Sequence, residues 1–321
     1  METYDALEYY RAPGRMTSLD RHMDFVRWLT GDVRAICQVV QGLVVHDSWV
    51  ARYGTDLDRR RLVNPYVTAS GILDLALSLS SRHLAISRSP QERVIGCCRE
   101  FALLTCAILR NKGIPARCRC GFATYLARPG YFEDHWACEY WDGQRWIMVD
   151  PQIDAFQQSS LENWTAGVLD PSTFNPLDLT AEQFVTGGRA WLMCRRGEAQ
   201  GDRFGISCDP SQFGLKSLYG QWFARGNMLR DFAALNKVET VPYLVRISRR
   251  LSWDSWRLVG SGDDALSTED LLLLDRAASL SEQPNGSLAA TLALYGENAG
   301  LQVPTEYLTK DEEDDVESPG R

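Results

Sequence analysis

The chain has 321 residues, 45% of them hydrophobic and 24% charged, with a formal net charge of −8, a profile that fits a globular protein with one large core or two modest ones. Past Asn298 the charge concentrates: from Lys310 to Arg321 six acids face two bases, so the body is only mildly acidic and a nucleic-acid partner is not expected. No apolar run reaches the roughly 20 residues that span a bilayer, and the first sixteen residues lack the apolar core of a signal peptide. A cytoplasmic location is therefore the expectation, with no membrane partner. The nine cysteines (37, 97, 98, 106, 118, 120, 138, 194 and 208) read accordingly as reduced thiols.

In chain order, Leu19 to Val50 has helical apolar spacing with a break near Gly31: Phe25, Trp28 and Leu29, then Val33, Ile36, Val40, Leu43 and Val44. This spacing places Gln41, His46 and Trp49 on one helix. A second apolar helix is predicted over 69–79. Residues 98–110 form a further helix, with Phe101, Leu104 and Ile108 beside Ala102, Cys106 and Leu109, and Asn111-Lys112-Gly113 supplies its stop. Ala116 to Thr124 reads as a strand. Trp136–Trp141 and Trp146–Val149 read as a hairpin turning at Asp142-Gly143. Residues 152–178 are polar and proline-bearing, the pattern of a long loop. Helices return at about 180–196, with Thr180 as N-cap, and at 217–236. A last pair follows Ser267, whose S-T-E-D run is a capping sequence. The fold class expected is α+β. A single domain is expected over 1–305, with a core at 90–155, helical elaborations at 18–82 and 178–300, and an acidic disordered tail at 306–321.

The chemistry concentrates between Gly96 and Pro151. Cys98 stands at a helix start, His135 at the beginning of a strand, and Asp150 at the end of the next. Hairpin pairing draws the last two together, so an aspartate can orient an imidazole whose other nitrogen serves a thiol. Each residue alone has a plainer reading: a strand-end histidine, a turn-forming Asp-Pro pair, a cysteine used as core filler. Their joint occurrence carries the case.

The same stretch resembles the transglutaminase-like superfamily. The residues that carry the resemblance are Gly96, Cys98, Arg99, Glu100, Phe101 and Ala102; then Leu109, Arg110, Gly113, Ile114, Pro115, Ala116 and Arg117; then Trp146, Val149 and Asp150. The family's H-A-W appears as His135-Trp136-Ala137, its tryptophan displaced by one place. The FEDHW-CEYW block, Arg203 to Ile206 and Trp222 to Lys237 also resemble a bacterial group within this superfamily. The resemblance implies a papain-like core, with the nucleophile helix packed on an antiparallel sheet and extra N- and C-terminal helices around it. It also implies a Cys98 nucleophile, a His135 base and an orienting Asp150, forming a thioester with an acyl group taken from an amide. The motif selects Cys98 over Cys97, and a helix N-terminus favours a thiolate there.

The expected activity is hydrolysis of a small-molecule or peptide amide. Amide-bond formation in small-molecule biosynthesis, with a carrier protein as partner, is the alternative, and a non-catalytic peptide-binding module is the second. Gln41, upstream of the nucleophile as in papain-like enzymes, is a candidate oxyanion donor, and Trp136 a candidate cleft residue. Arg225, Asn227 and Arg230 could bind a substrate carboxylate, or simply form salt bridges. Asp134 could modulate His135. Cys118-Arg-Cys120 puts two thiols on one face, but no second pair completes a zinc pattern. Neither a metal nor a cofactor is expected.

Overall fold

The computed structural model describes residues 5–63, 68–164, 174–213, 216–240, 256–305 and 308. The expected disordered tail therefore lies, apart from Leu308, outside the described residues.

Three helices open the chain: α1 (Ala6–Arg11), α2 (Met23–Trp28) and α3 (Val33–Leu43). Asp32 caps α3 by accepting the Ala35 N–H at 3.1 Å. Val33, Ile36, Cys37, Val40 and Leu43 form its buried stripe. The helix predicted to run on to Val50 ends earlier. Val44 leaves the helical region and begins a strand, β1 (Val44–His46), followed by a 3₁₀ turn that carries Trp49. Two consecutive β-branched residues with a parallel partner, β2 (Val94–Gly96), prevail there over the helical periodicity. Helix α4 (Ala69–Leu79) lies between these strands in sequence.

Helix α5 (Cys98–Asn111) is buried from Cys98 to Arg110. It packs on β3 (Ala116–Ala123) and β4 (Phe132–Trp141). These strands belong to a five-stranded sheet in the order β5-β4-β3-β6, with β7 (Phe204–Gly205) pairing parallel to β4. β5 is Trp146–Val149 and β6 is Phe184–Thr186; the β3–β4, β4–β5 and β3–β6 pairs are antiparallel. His135 sits inside β4, not at its start, because the strand begins three residues earlier than the sequence pattern implied.

Two other expectations are corrected. The stretch read as a loop over 152–178 contains helix α6 (Ala155–Trp164). The helix expected at 180–196 divides into β6 and α7 (Gly187–Arg195), so Thr186 rather than Thr180 is the N-cap, accepting the Arg189 N–H at 3.3 Å. Phe184 and Val185 are recruited as strand residues by the open edge of β3.

The C-terminal part is helical: α8 (Gln221–Leu235), α9 (Arg257–Gly260), α10 (Thr268–Ser281) and α11 (Leu288–Glu297). The capping box before α10 forms as its sequence indicates, Ser267 with Asp270. Trp191, Met228, Phe232, Leu258, Leu274 and Leu294 make a second apolar cluster among these helices. Helix α8 joins the two layers, since it contacts both β3 and helices α7 and α10. The fold is α+β, with the helix that begins at Cys98 packed on a mainly antiparallel sheet and further helices on either side in sequence. Among the described residues no helix is long and apolar enough to cross a membrane.

Candidate active site

The site is built where three local structures meet. Parallel pairing of β1 with β2 sets His46 opposite Gly96, immediately before α5. Cys97 is the N-cap residue of α5. Its N–H donates to Glu100 Oε2 at 2.7 Å, and Glu100 Oε1 also receives the Arg99 guanidinium at 3.2 Å. A side chain at Gly96 would put its Cβ 3.0 Å from Glu100 Cγ and Oε2, so the glycine leaves room for this cap. The result is a firmly held first turn with Cys98 at its first position.

On the sheet, Cys138 pairs with Val149, which brings the end of β5 alongside His135. His135 Nε2 lies 2.8 Å from Asp150 Oδ2. The same oxygen accepts from the Tyr125 hydroxyl at 2.6 Å, while Oδ1 accepts the Gln152 N–H at 2.9 Å. Asp150 thus serves both readings of an Asp-Pro pair: it forms a turn, and it holds an imidazole. With Nε2 committed to Asp150, Nδ1 is the nitrogen left for a thiol.

The Cys98 sulfur receives hydrogen bonds from the neighbouring Cys97 thiol and from the imidazoles of His135 and His46. These outweigh burial and hold the Cys98 pKa well below the ordinary thiol range, while Cys97, as the donor, is pushed up. Burial by itself would lower the pKa of His135. The carboxylate of Asp150 and the Cys98 thiolate overcome it and raise the pKa well above the usual imidazole value. Burial, with Asp150 beside it, raises Tyr125 and keeps its phenol a donor. The arrangement is a thiolate–imidazolium pair with a carboxylate behind it, chemically able to attack an acyl carbon and to return a proton to a leaving group. All three groups are nearly enclosed: Cys98 is 5% exposed, His135 2% and Asp150 1%.

The other sequence candidates lie elsewhere. The expected oxyanion role does not fit Gln41, whose Nε2 donates to the carbonyls of Pro151 at 3.1 Å and Ile153 at 3.3 Å. Its two N–H groups clamp the turn after Asp150. Trp136 is fully buried: alternation along β4 turns it away from the side taken by His135, into the apolar cluster that holds Cys98, Phe101, Cys120 and Cys138. Arg225 is wholly buried and bound to Asp263 at 2.5 Å and to the Val259 and Ser261 carbonyls, so it braces α9 instead of meeting a substrate. Asn227 is likewise buried, donating to the Gly121 carbonyl at 2.8 Å and to Asp134 Oδ1 at 2.7 Å and accepting from Arg230 at 2.8 Å. It anchors α8 to the sheet beside His135.

Sequence reasoning did not find Tyr125 or Gln152, and it gave His46 only a place on the helix of Gln41. Gln152 had a signal, the turn that an aspartate two places back favours. Tyr125 had none, because its hydroxyl reaches Asp150 only through the fold. Among the described residues, Cys106, Cys118 and Glu239 bring two sulfurs and an oxygen within 4.8 Å of one another, all buried. Glu239 Oε1 already holds the Arg110 guanidinium at 2.9 Å, a positive charge that a cation would have to face. Cys120, the other half of the C-x-C pair, is not in this group.

No curated protein matches the chain. Among solved structures it is similar to a candidate cysteine protease from Cytophaga hutchinsonii, at 21% identity and a TM-score of 0.33, over 47% of this chain and 43% of that one. The chain thus spans less than half the length of that protein. Residues 48–151 match the family model of the transglutaminase-like superfamily, a range that takes in Cys98, His135 and Asp150. Over that core, this chain is similar to the transglutaminase-like superfamily.

Proposed function

We propose that the chain is a thiol-dependent acyl-transfer enzyme whose nucleophile is Cys98, and that its reaction is hydrolysis of an amide. The Cys98 thiolate adds to the amide carbonyl carbon, and the carbonyl electron pair moves to oxygen. Collapse of this intermediate expels the amine, which takes a proton from His135, and leaves a thioester on Cys98. Water then gives its proton to His135 and attacks the thioester, releasing the carboxylic acid and restoring the thiolate. Asp150 keeps the imidazole oriented and stabilises its charged form throughout. The observation that carries this reading is the convergence of Cys98, His135 and Asp150, with the imidazole held at 2.8 Å by the carboxylate.

The enclosure of these groups favours a second reading, transfer of the acyl group to an amine, because restricted water lets an amine compete for the thioester. A carrier-bound acyl donor would suit that reaction. A library of amides and acyl thioesters, screened by intact-mass spectrometry, tests both. Wild-type protein is expected to gain an acyl mass that peptide mapping assigns to Cys98, and Cys98→Ala to gain none. Release as free acid in the presence of added amines supports hydrolysis, and release as a new amide supports transfer. An acyl mass on other cysteines, unchanged in Cys98→Ala, would sink both readings.

A further inference from the structure

Two imidazoles, not one, reach the Cys98 sulfur, and the proposed mechanism uses only His135. His46 is fixed by strand pairing: β1 runs parallel to β2, with His46 opposite Gly96, two residues before the nucleophile. Its Nδ1 lies 3.1 Å from Asp47 Oδ1, 3.0 Å from Ser48 Oγ and 3.2 Å from the Ser48 backbone nitrogen. Nδ1 is therefore occupied by its own turn, and Nε2 is the nitrogen available to the thiol. The Asp47 carboxylate at Nδ1 favours the charged ring, in which Nδ1–H faces Asp47 and Nε2–H is left as a donor toward the thiol.

We infer that His46 is a second catalytic residue, a fixed Nε2–H donor that holds the Cys98 thiolate at rest and the oxyanion during acyl transfer. The inference rests on the acyl-transfer reading above. When sulfur adds to a carbonyl, the negative charge moves from sulfur to an oxygen two bonds away, so a donor already engaged with sulfur is within reach of that oxygen. Three features separate His46 from a merely structural histidine. Its side chain keeps 14% exposure against 2% for His135. Gln41, the other upstream donor, is spent on Pro151 and Ile153. Asp47 and the thiolate hold its ring up to about 9 against burial, which strengthens the donor.

Two probes of Cys98 distinguish this role from simple thiol activation. p-Nitrophenyl acetate acylates the thiolate through an oxyanion; iodoacetamide alkylates it by displacement, with no oxyanion. At pH 8, His46→Ala and the ring-shaped but donor-free His46→Phe should lose roughly 100-fold in acylation while losing far less in alkylation. His46→Gln, which restores an N–H donor, should recover most of the acylation rate. The His46→Phe and His46→Gln pair carries the comparison should His46→Ala fail to fold. Equal acylation-to-alkylation ratios in wild type, His46→Phe and His46→Gln would overturn the inference. Failure of the underlying reading looks different: wild-type protein would then show no acylation dependent on Cys98 and His135.

Discussion

At the scale of single residues, reactivity is a matter of hydrogen bonds delivered to one sulfur. A lone buried thiol is inert, because burial opposes the thiolate. Cys98 escapes that fate through Cys97, His135 and His46, and Cys97 pays by becoming less acidic. The sign of the pH dependence follows. A lowered Cys98 keeps the thiolate as pH falls, and a raised His135 keeps the imidazolium as pH rises, so the pair exists between the two titrations. Iodoacetamide should label Cys98 at an almost constant rate through neutral pH, with the fall confined to the acid side and the other eight cysteines far slower. His135→Ala should move that fall up toward the ordinary thiol range; a profile unchanged by His135→Ala would refute the pairing. Asp150→Asn removes the charge that holds His135 up and should lower acyl transfer by a factor on the order of 100 or more, with the loss greatest at alkaline pH, where the imidazole now deprotonates. A pH series of single-turnover acylation checks it.

At the scale of elements, the start of α5 is the part most dependent on local chemistry. Glu100 closes the N-terminal cap and pairs with Arg99, both deep in the protein. Glu100→Ala leaves the Cys97 N–H without its acceptor and deprives Arg99 of its carboxylate partner. A stability loss of about 1–3 kcal/mol is expected, together with slower Cys98 alkylation, since the nucleophile would sit on a frayed turn. Urea denaturation measures the first and labelling kinetics the second; loss of stability with unaltered labelling would show that the cap does not position the thiol. The motif arginines belong to this scale too. Arg110 holds the Ala116 carbonyl at 2.8 Å and Glu239 at 2.9 Å, and Arg117 holds Glu139 at 2.7 Å and lies 3.9 Å over the Trp146 ring. Arg110 ties the helix to the strand that follows it, and Arg117 ties that strand to β4 and β5.

At the scale of the whole molecule, the sheet and the C-terminal helices are joined by buried charge. Arg119 on β3 is bidentate with Asp231 on α8, both bonds 2.8 Å, and also meets Glu139 at 3.0 Å. Asp231→Ala strands a buried guanidinium and should cost about 3–5 kcal/mol in urea unfolding. Burial would raise Glu139, but Arg117 and Arg119 outweigh it and bring its pKa down to about 2. A depressed carboxylate stabilises the fold above its unfolded pKa of roughly 4.3, and that contribution is lost as pH falls toward 2. The urea midpoint of wild type should therefore fall toward that of Glu139→Gln between pH 5 and pH 2. Parallel midpoints across that range would count against the ion pair.

How much could be read without a structure depended on how local the cause was. Helix α5, with its apolar faces and glycine stop, the strand after it, the hairpin that aligns His135 with Asp150, and the capped helix at Ser267 were legible, because periodicity and turn chemistry act within a few residues. Wherever a distant partner decides the conformation, the local signal misleads. Val44 to His46 leaves its helix to pair with Val94 to Gly96, and Phe184 to Thr186 leaves its helix to pair with β3. The same division runs through the site. The sequence by itself determined the order of thiol, imidazole and carboxylate, and the hairpin that joins the last two. Only the tertiary structure decided which polar side chains face the thiol: it sent Gln41, Arg225 and Asn227 into bracing roles and turned Trp136 into the core. It also set His46 beside Cys98, because side-chain direction and hydrogen-bond partner are fixed by packing between segments far apart in the chain.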